Sequence, residues 1–203
     1  MTKTLHTLLL GLLVVLASQL PAHAQLSIDA TAGYGLPTES GSKGIWGGGI
    51  GVKHYFSSKL SVGGRIRAYS ETIRQTAALG SSTLTAATIP IMASVQYYPT
   101  EWDLHPYIGM EVGIIRTVVN ARIDYNDRRI FNDTMGDSSF GFAPKVGIGY
   151  DITENFALTG EFLYNIGFPK NLAGSTQFDL ENSARFPTVH VGVSYTFGNR
   201  FLK

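Results

Sequence analysis

From residue 26 onward the chain alternates apolar and polar side chains at a period of two, the mark of strands that turn one face to hydrocarbon or a core and the other to polar surroundings. In one segment Leu60, Val62, Ile66 and Ala68 share a parity against Ser61, Arg65, Arg67 and Tyr69. In another, Val189, Val191, Val193, Tyr195 and Phe197 oppose Thr188, His190, Ser194 and Thr196. The pattern predicts strands over Leu26 to Gly35, Gly44 to Phe56, Leu60 to Ile73, Thr83 to Pro99, His105 to Asn120, Ser138 to Asp151, Phe156 to Phe168 and Arg185 to Gly198. Short connections (Ser57 to Lys59, Thr100 to Leu104, Ile152 to Asn155) alternate with longer ones rich in Gly, Ser, Asn and Asp: Leu36 to Lys43, Arg74 to Ser82, Ala121 to Asp137 and Pro169 to Ala184. An even strand count with short turns at one end and long loops at the other predicts an all-β, eight-stranded antiparallel up-and-down transmembrane β-barrel, with termini and turns periplasmic and four loops outside.

The glycines decide which face is out. Gly47, Gly49, Gly51, Gly109, Gly113, Gly147 and Gly149 lie on the polar parity, and small residues suit the crowded inside of a narrow barrel. The apolar parity is therefore expected to face lipid. A periplasmic lipocalin-like ligand carrier would have the reverse arrangement. Aromatic residues cluster at strand ends, as membrane-surface girdles do. Tyr55, Phe56, Tyr97, Tyr98, Trp102, Tyr107, Tyr150, Phe156, Tyr195 and Phe197 lie toward the short turns; Tyr34, Trp46, Phe140, Phe142, Tyr164, Phe168 and Phe186 lie toward the loops.

Ahead of the first strand, Lys3, the apolar run Leu8 to Ala17 and Ala22-His23-Ala24 before Gln25 make a cleavable export signal. The expected division is a signal peptide over 1–24 and a barrel over 25–203. With 16 Lys+Arg against 15 Asp+Glu in the full chain, no basic field is available for nucleic acid. The absence of cysteine excludes thiolate catalysis and Cys-ligated metal.

Three stretches, Pro106 to Gly113 (PYIGMEVG), Phe142 to Tyr164 (FAPKVGIGYDITENFALTGEFLY) and Val191 to Gly198 (VGVSYTFG), resemble the strand and turn signatures of small eight-stranded outer-membrane barrels, the OmpA-like and OmpX-like group. The resemblance implies an outer-membrane protein of a Gram-negative bacterium. It leaves function open, because such barrels anchor, adhere, resist host factors or form small pores. The chain ends soon after the eighth strand, so an OmpA-type periplasmic peptidoglycan-binding domain is not expected. Asn199 to Lys203 depart from the group's usual aromatic C-terminus.

Charged residues on the inward parity fall at similar depths: Arg65 and Glu161 five residues above the periplasmic start of their strands, Glu111 and Lys145 six. With Arg67, Lys53 and His190 nearby they predict a neutralising lumen network, read either as structural filling or as a gate. Arg116 interrupts an outward apolar parity and is a candidate contact to lipid phosphate. A catalytic arrangement of His190 with Ser94 or Ser194 and Glu111 is the weaker alternative to a polar filler. The loop Asp124 to Asp133 carries oxygen ligands but not the calcium-loop order of an EF-hand, and Arg128 and Arg129 offset its charge. Prolines 90, 144 and 187 fall inside strands, where bulges are expected.

The functional expectation is an integral outer-membrane protein with a structural or interaction role and no enzyme activity, metal or cofactor. It is expected to be monomeric, bounded by outer-membrane lipid and offering its loops to an extracellular partner. The alternative is a narrow porin-like channel for ions or small solutes.

Overall fold

The computed structural model describes residues 25–36, 44–77, 80–125, 128–168 and 184–197. Residues 1–24, where an export signal is expected, most of two expected loops (37–43 and 169–183) and the C-terminal 198–203 lie outside the described residues. The strands are β1 (Gln25–Gly35), β2 (Ile45–Ser57), β3 (Leu60–Ala77), β4 (Gly80–Tyr97), β5 (Leu104–Tyr125), β6 (Arg128–Asp151), β7 (Phe156–Phe168) and β8 (Ala184–Phe197). Each pairs antiparallel with its neighbours, and β1 pairs with β8 to close the barrel.

The faces sort by parity. Ile50, Ile66, Ile91, Ile108, Val146 and Val191 are exposed on the outside. Ser27, Arg67, Gln96, Glu111, Asn165 and His190 are fully buried inside. A ligand carrier with an apolar interior has the opposite distribution. On β5 the outward apolar run extends from Leu104 to Ile114, which at ~3.3 Å per residue and ~40° tilt spans ~25 Å, the height of a barrel's hydrocarbon band.

Two of the expected loops are instead strand. Much of Arg74 to Ser82 and Ala121 to Asp137 continues β3, β4, β5 and β6 in register, with Gln75 opposite Ser82 and Asn120 opposite Thr134. β2 stops pairing with β3 at Ser70, and β7 stops pairing with β6 at Phe140. A four-stranded sheet therefore rises above one side of the barrel. Its outward face is hydroxyl- and amide-rich, which erased the alternation on which the loop expectation rested.

The prolines also differ from expectation. Pro90 pairs with Ile115, Pro144 with Met110 and Pro187 with Tyr164 without any change of register. Proline lacks an N–H and so drops ladder bonds on one side, yet it need not add a residue. The register shifts occur at Tyr55/Ser57 and Ile123/Asp124 instead.

Inward glycines admit their neighbours' backbones. A Cβ at Gly113 would press on the Ile91 carbonyl and lie 2.9 Å from Met92 Cα, whereas one at the outward Gly160 meets Ile148 Cγ2 at 3.7 Å. Gly113→Ala is expected to cost about 1 to 3 kcal/mol, as overpacked sites do, and Gly160→Ala to cost none. Urea-unfolding midpoints of the two refolded variants in one detergent measure the difference.

Candidate functional site: the barrel lumen

The lumen holds its side chains in three layers, each set by where inward positions fall along neighbouring strands. At the periplasmic end Tyr55, Tyr98 and Tyr107 pack together, with Tyr98 and Tyr107 ring centres 5.3 Å apart. The Tyr98 hydroxyl donates to Gln96 Oε1 at 2.5 Å. These three tyrosines were expected in the lipid-facing girdle. Their parity turns them inward, and the outer girdle at this end consists of residues such as Phe56, Tyr97, Trp102, Tyr150 and Tyr195.

Above them lies the charge layer. Arg67 donates through Nη1 and Nη2 to the two oxygens of Glu111, both at 2.7 Å, and Lys145 Nζ donates to Glu111 Oε1 at 2.8 Å. Arg65 Nη1 donates to Glu161 Oε1, and its Nε stands 3.0 Å from Asp29 Oδ2. The Tyr107 hydroxyl donates to the other Glu161 oxygen at 3.1 Å. Three cations and three carboxylates thus share one buried layer, with Arg65 placed between the two halves, 3.8 Å from Glu111. Charges survive burial when paired and hydrogen-bonded in this way. The fork of Arg67 uses the bidentate geometry that a guanidinium matches to a carboxylate.

The structure brings together Arg65, Arg67, Glu111, Lys145 and Glu161, and it adds Asp29, which is not among the residues expected from sequence. Asp29 has the inward parity of β1, between Ser27 and Thr31, so alternation alone marked its face. Lys53 lies 5.7 Å over the Tyr55 ring, nearer the periplasmic layer. His190 Nε2 is 2.6 Å from the Tyr69 hydroxyl, and its Nδ1 stands 3.7 Å from Glu161. Ser194 is held by Ser27 at 2.7 Å, so the hydrogen bonds of His190 and of this serine run to structural partners.

On the extracellular side of the charges the lumen carries a buried apolar cluster, flanked by the buried Asn165 and Thr188, where the Asn165 amide donates to Thr188 Oγ1 at 3.1 Å. Met92, Ile115, Ala143 and Leu163 form one buried cluster, with Phe186 packed against it. Leu163 follows Glu161 by one inward step on β7, and Ala143 precedes Lys145 by one on β6. Phe186, expected among the outer aromatics, points inward here and meets Tyr69 edge-on at 6.0 Å.

Arg116 is exposed on the outer face of β5, between Ile89 and Ser138 and one outward step beyond Ile114. In the oxygen-rich stretch from Asp124 to Asp133, Arg122 Nε lies 2.7 Å from Asp124, and Asp133 Oδ1 accepts the Thr134 N–H at 2.8 Å. Residues 126–127 lie outside the described residues. Among the described residues no group of three or more His, Asp or Glu side chains is arranged to hold a metal ion.

The family model described as the outer membrane protein beta-barrel domain matches residues 7–197. Among solved structures, the attachment invasion locus protein Ail of Yersinia pestis superposes with a TM-score of 0.54 at 14% identity, covering 86% of this chain and 99% of that one. Ail in complex with the heparin analogue sucrose octasulfate gives 0.55 at 15% identity, with 86% and 99% covered. A major outer membrane protein from Thermus thermophilus gives 0.57 at 13% identity, again with 86% and 99% covered. At these identities the likeness is one of fold. No curated protein matches the chain in sequence.

Proposed function

Since the chain belongs to the outer membrane protein beta-barrel family and resides in the outer membrane, we propose that it is a closed, non-conducting barrel whose role is to hold extracellular structures at the membrane surface. The observation that carries this reading is the stacking of an apolar plug directly on a neutralised charge layer. A permeating ion needs polar partners along its whole path; at this level Met92, Ile115, Leu163 and Phe186 present hydrocarbon, and the neighbouring Asn165 amide is bonded to Thr188 and to the Phe186 carbonyl. An eight-stranded barrel is just wide enough for side chains to fill, and large inward side chains of each layer, Tyr98, Arg67, Glu111 and Leu163 among them, are fully buried. The buried lumen makes the barrel a support for the β3–β6 sheet that rises above it. An extracellular partner would meet these projecting parts, and no catalytic role is assigned to the lumen.

The narrow-channel reading draws on the same charges, treating Arg65, Glu111, Lys145 and Glu161 as a gate. Planar-bilayer recording of the refolded protein separates the two. Folded protein is expected to give no discrete conductance steps, and Glu111→Gln and Glu161→Gln to remain silent while folded. Steps in the wild type, or steps appearing in either variant, would establish a channel and remove the closed-barrel reading.

A further inference from the structure

The outward parity of β3–β6 changes character at one level around the barrel. On β5 the lipid-facing run Ile108, Met110, Val112, Ile114 is broken by Arg116 and, after Val118, continues as Asn120 and Arg122. On β4 Ile91 and Ile89 are followed outward by Thr85 and Thr83. On β6 Phe142 and Phe140 give way to Ser138 and Thr134. On β3 Ile66 is followed by Ser70, Thr72 and Arg74. Hydrocarbon therefore ends beside Arg116, where Phe140 and Phe168 stack at the rim with ring centres 6.2 Å apart.

Beyond that level the projecting sheet separates its charges by face. Arg74, Arg116 and Arg122 are exposed on the outer face, continuous with the lipid-facing wall, where Asp124 is paired to Arg122. Glu71, Asp133 and Asp137 occupy the opposite face, above the lumen. Arg74 and Arg122 lie in one row with Thr83 between them, so their strands stand ~10 Å apart. That row is six residues above Arg116 on β5, or ~15 Å along the membrane normal at the tilt used above. Between them lie Thr72, Thr85, Asn120 and Thr134, of which Thr72 and Thr85 hydroxyls are 3.2 Å apart and Asn120 donates to Thr134 at 2.8 Å.

We infer that this outer face is a binding surface for the anionic phosphates and sugar hydroxyls of outer-leaflet glycolipid headgroups, with Arg116 at the hydrocarbon boundary and Arg74 and Arg122 in a second tier above it. The headgroup layer adjoins this face by position. Guanidinium groups match phosphate with paired hydrogen bonds, and the hydroxyl and amide rows match sugar. With Glu71, Asp133 and Asp137 on the other face, the described charges of this surface are three arginines against Asp124, which keeps it attractive to an anion. The inference goes beyond the anchoring role and stands whether or not the lumen conducts.

Native mass spectrometry of the folded, detergent-solubilised protein, titrated with a bisphosphorylated diglucosamine lipid and with its dephosphorylated form, tests it. The wild type is expected to retain the phosphorylated lipid preferentially, and Arg74→Gln/Arg116→Gln/Arg122→Gln to retain about tenfold less or lower. Arg116→Lys, which keeps the charge, should recover part of the binding relative to Arg116→Gln if the triple variant folds poorly. Equal retention of the two lipids by the wild type, or unchanged retention in the variants, would overturn the assignment. Tighter binding of soluble heparin through the same arginines would also overturn it, in favour of a soluble polyanion.

Discussion

Glu111→Gln is expected to destabilise the folded barrel by about 3 to 5 kcal/mol, the cost of leaving buried charges without their partner. The change preserves volume, removes the charge and replaces one acceptor oxygen by an NH2 donor. Arg67 loses its two-pronged acceptor, Lys145 keeps only a neutral carbonyl oxygen that it shares with Arg67, and both remain enclosed beside Arg65. The layer would then hold three cations against Asp29 and Glu161. Urea-unfolding midpoints in detergent micelles, followed by tryptophan fluorescence, measure the loss. The double variant Glu111→Gln/Lys145→Met restores the balance of charge in the layer and is expected to recover a substantial part of the stability. A single-variant cost below about 1 kcal/mol would mean that water reaches the layer and solvates the stranded cations.

The second large effect distinguishes lipid from water on the outside of the barrel. Ile108 is 58% exposed on the outer face of β5, between Tyr97 and Val146, close to the middle of the apolar band. Ile108→Arg is expected to cost about 2 to 4 kcal/mol in a bilayer, the penalty for arginine at the midplane of an outer-membrane barrel. Thr72→Arg, on the outward parity of β3 above the hydrocarbon, is expected to cost about 0 to 1 kcal/mol. Folding yields of the two variants in phospholipid vesicles, read from heat-modifiable gel mobility, provide the comparison. Equal effects at the two positions would misplace the hydrocarbon boundary drawn at Arg116, and with it the proposed headgroup surface.

The places where sequence and structure part have specific causes. Tyr55, Tyr98 and Tyr107 were grouped with the lipid girdle because they lie near strand ends. Nearness to an end gives height, whereas parity gives face, and Tyr55 shares the parity of Lys53 and Gly51. The same distinction moves Phe186 into the lumen. Asp29 was legible as an inward acid, but its meeting with Arg65 depends on the stagger between β1 and β3, two strands removed. Arg67 stands one step from the expected layer, yet its long side chain reaches Glu111 and closes the bidentate pair. The extensions of β3–β6 were hidden because the outward face there meets water and headgroups in place of hydrocarbon, so the outer positions cease to be apolar and the period-two signal fades.

Alternation along each strand, the even count of strands and the alternating short and long connections were enough to determine an eight-stranded barrel with a polar inside and an apolar outside. These are local properties: parity is set residue by residue, and lipid requires every outward position to be apolar wherever the strand crosses it. Tertiary structure decided which charges pair across the lumen, that an apolar cluster sits above them, and that one side of the barrel continues outward as a sheet with Arg74, Arg116 and Arg122 on one face and Glu71, Asp133 and Asp137 on the other. Those depend on shear, which sets the height of each strand against strands distant in sequence, and no single strand's pattern contains that information.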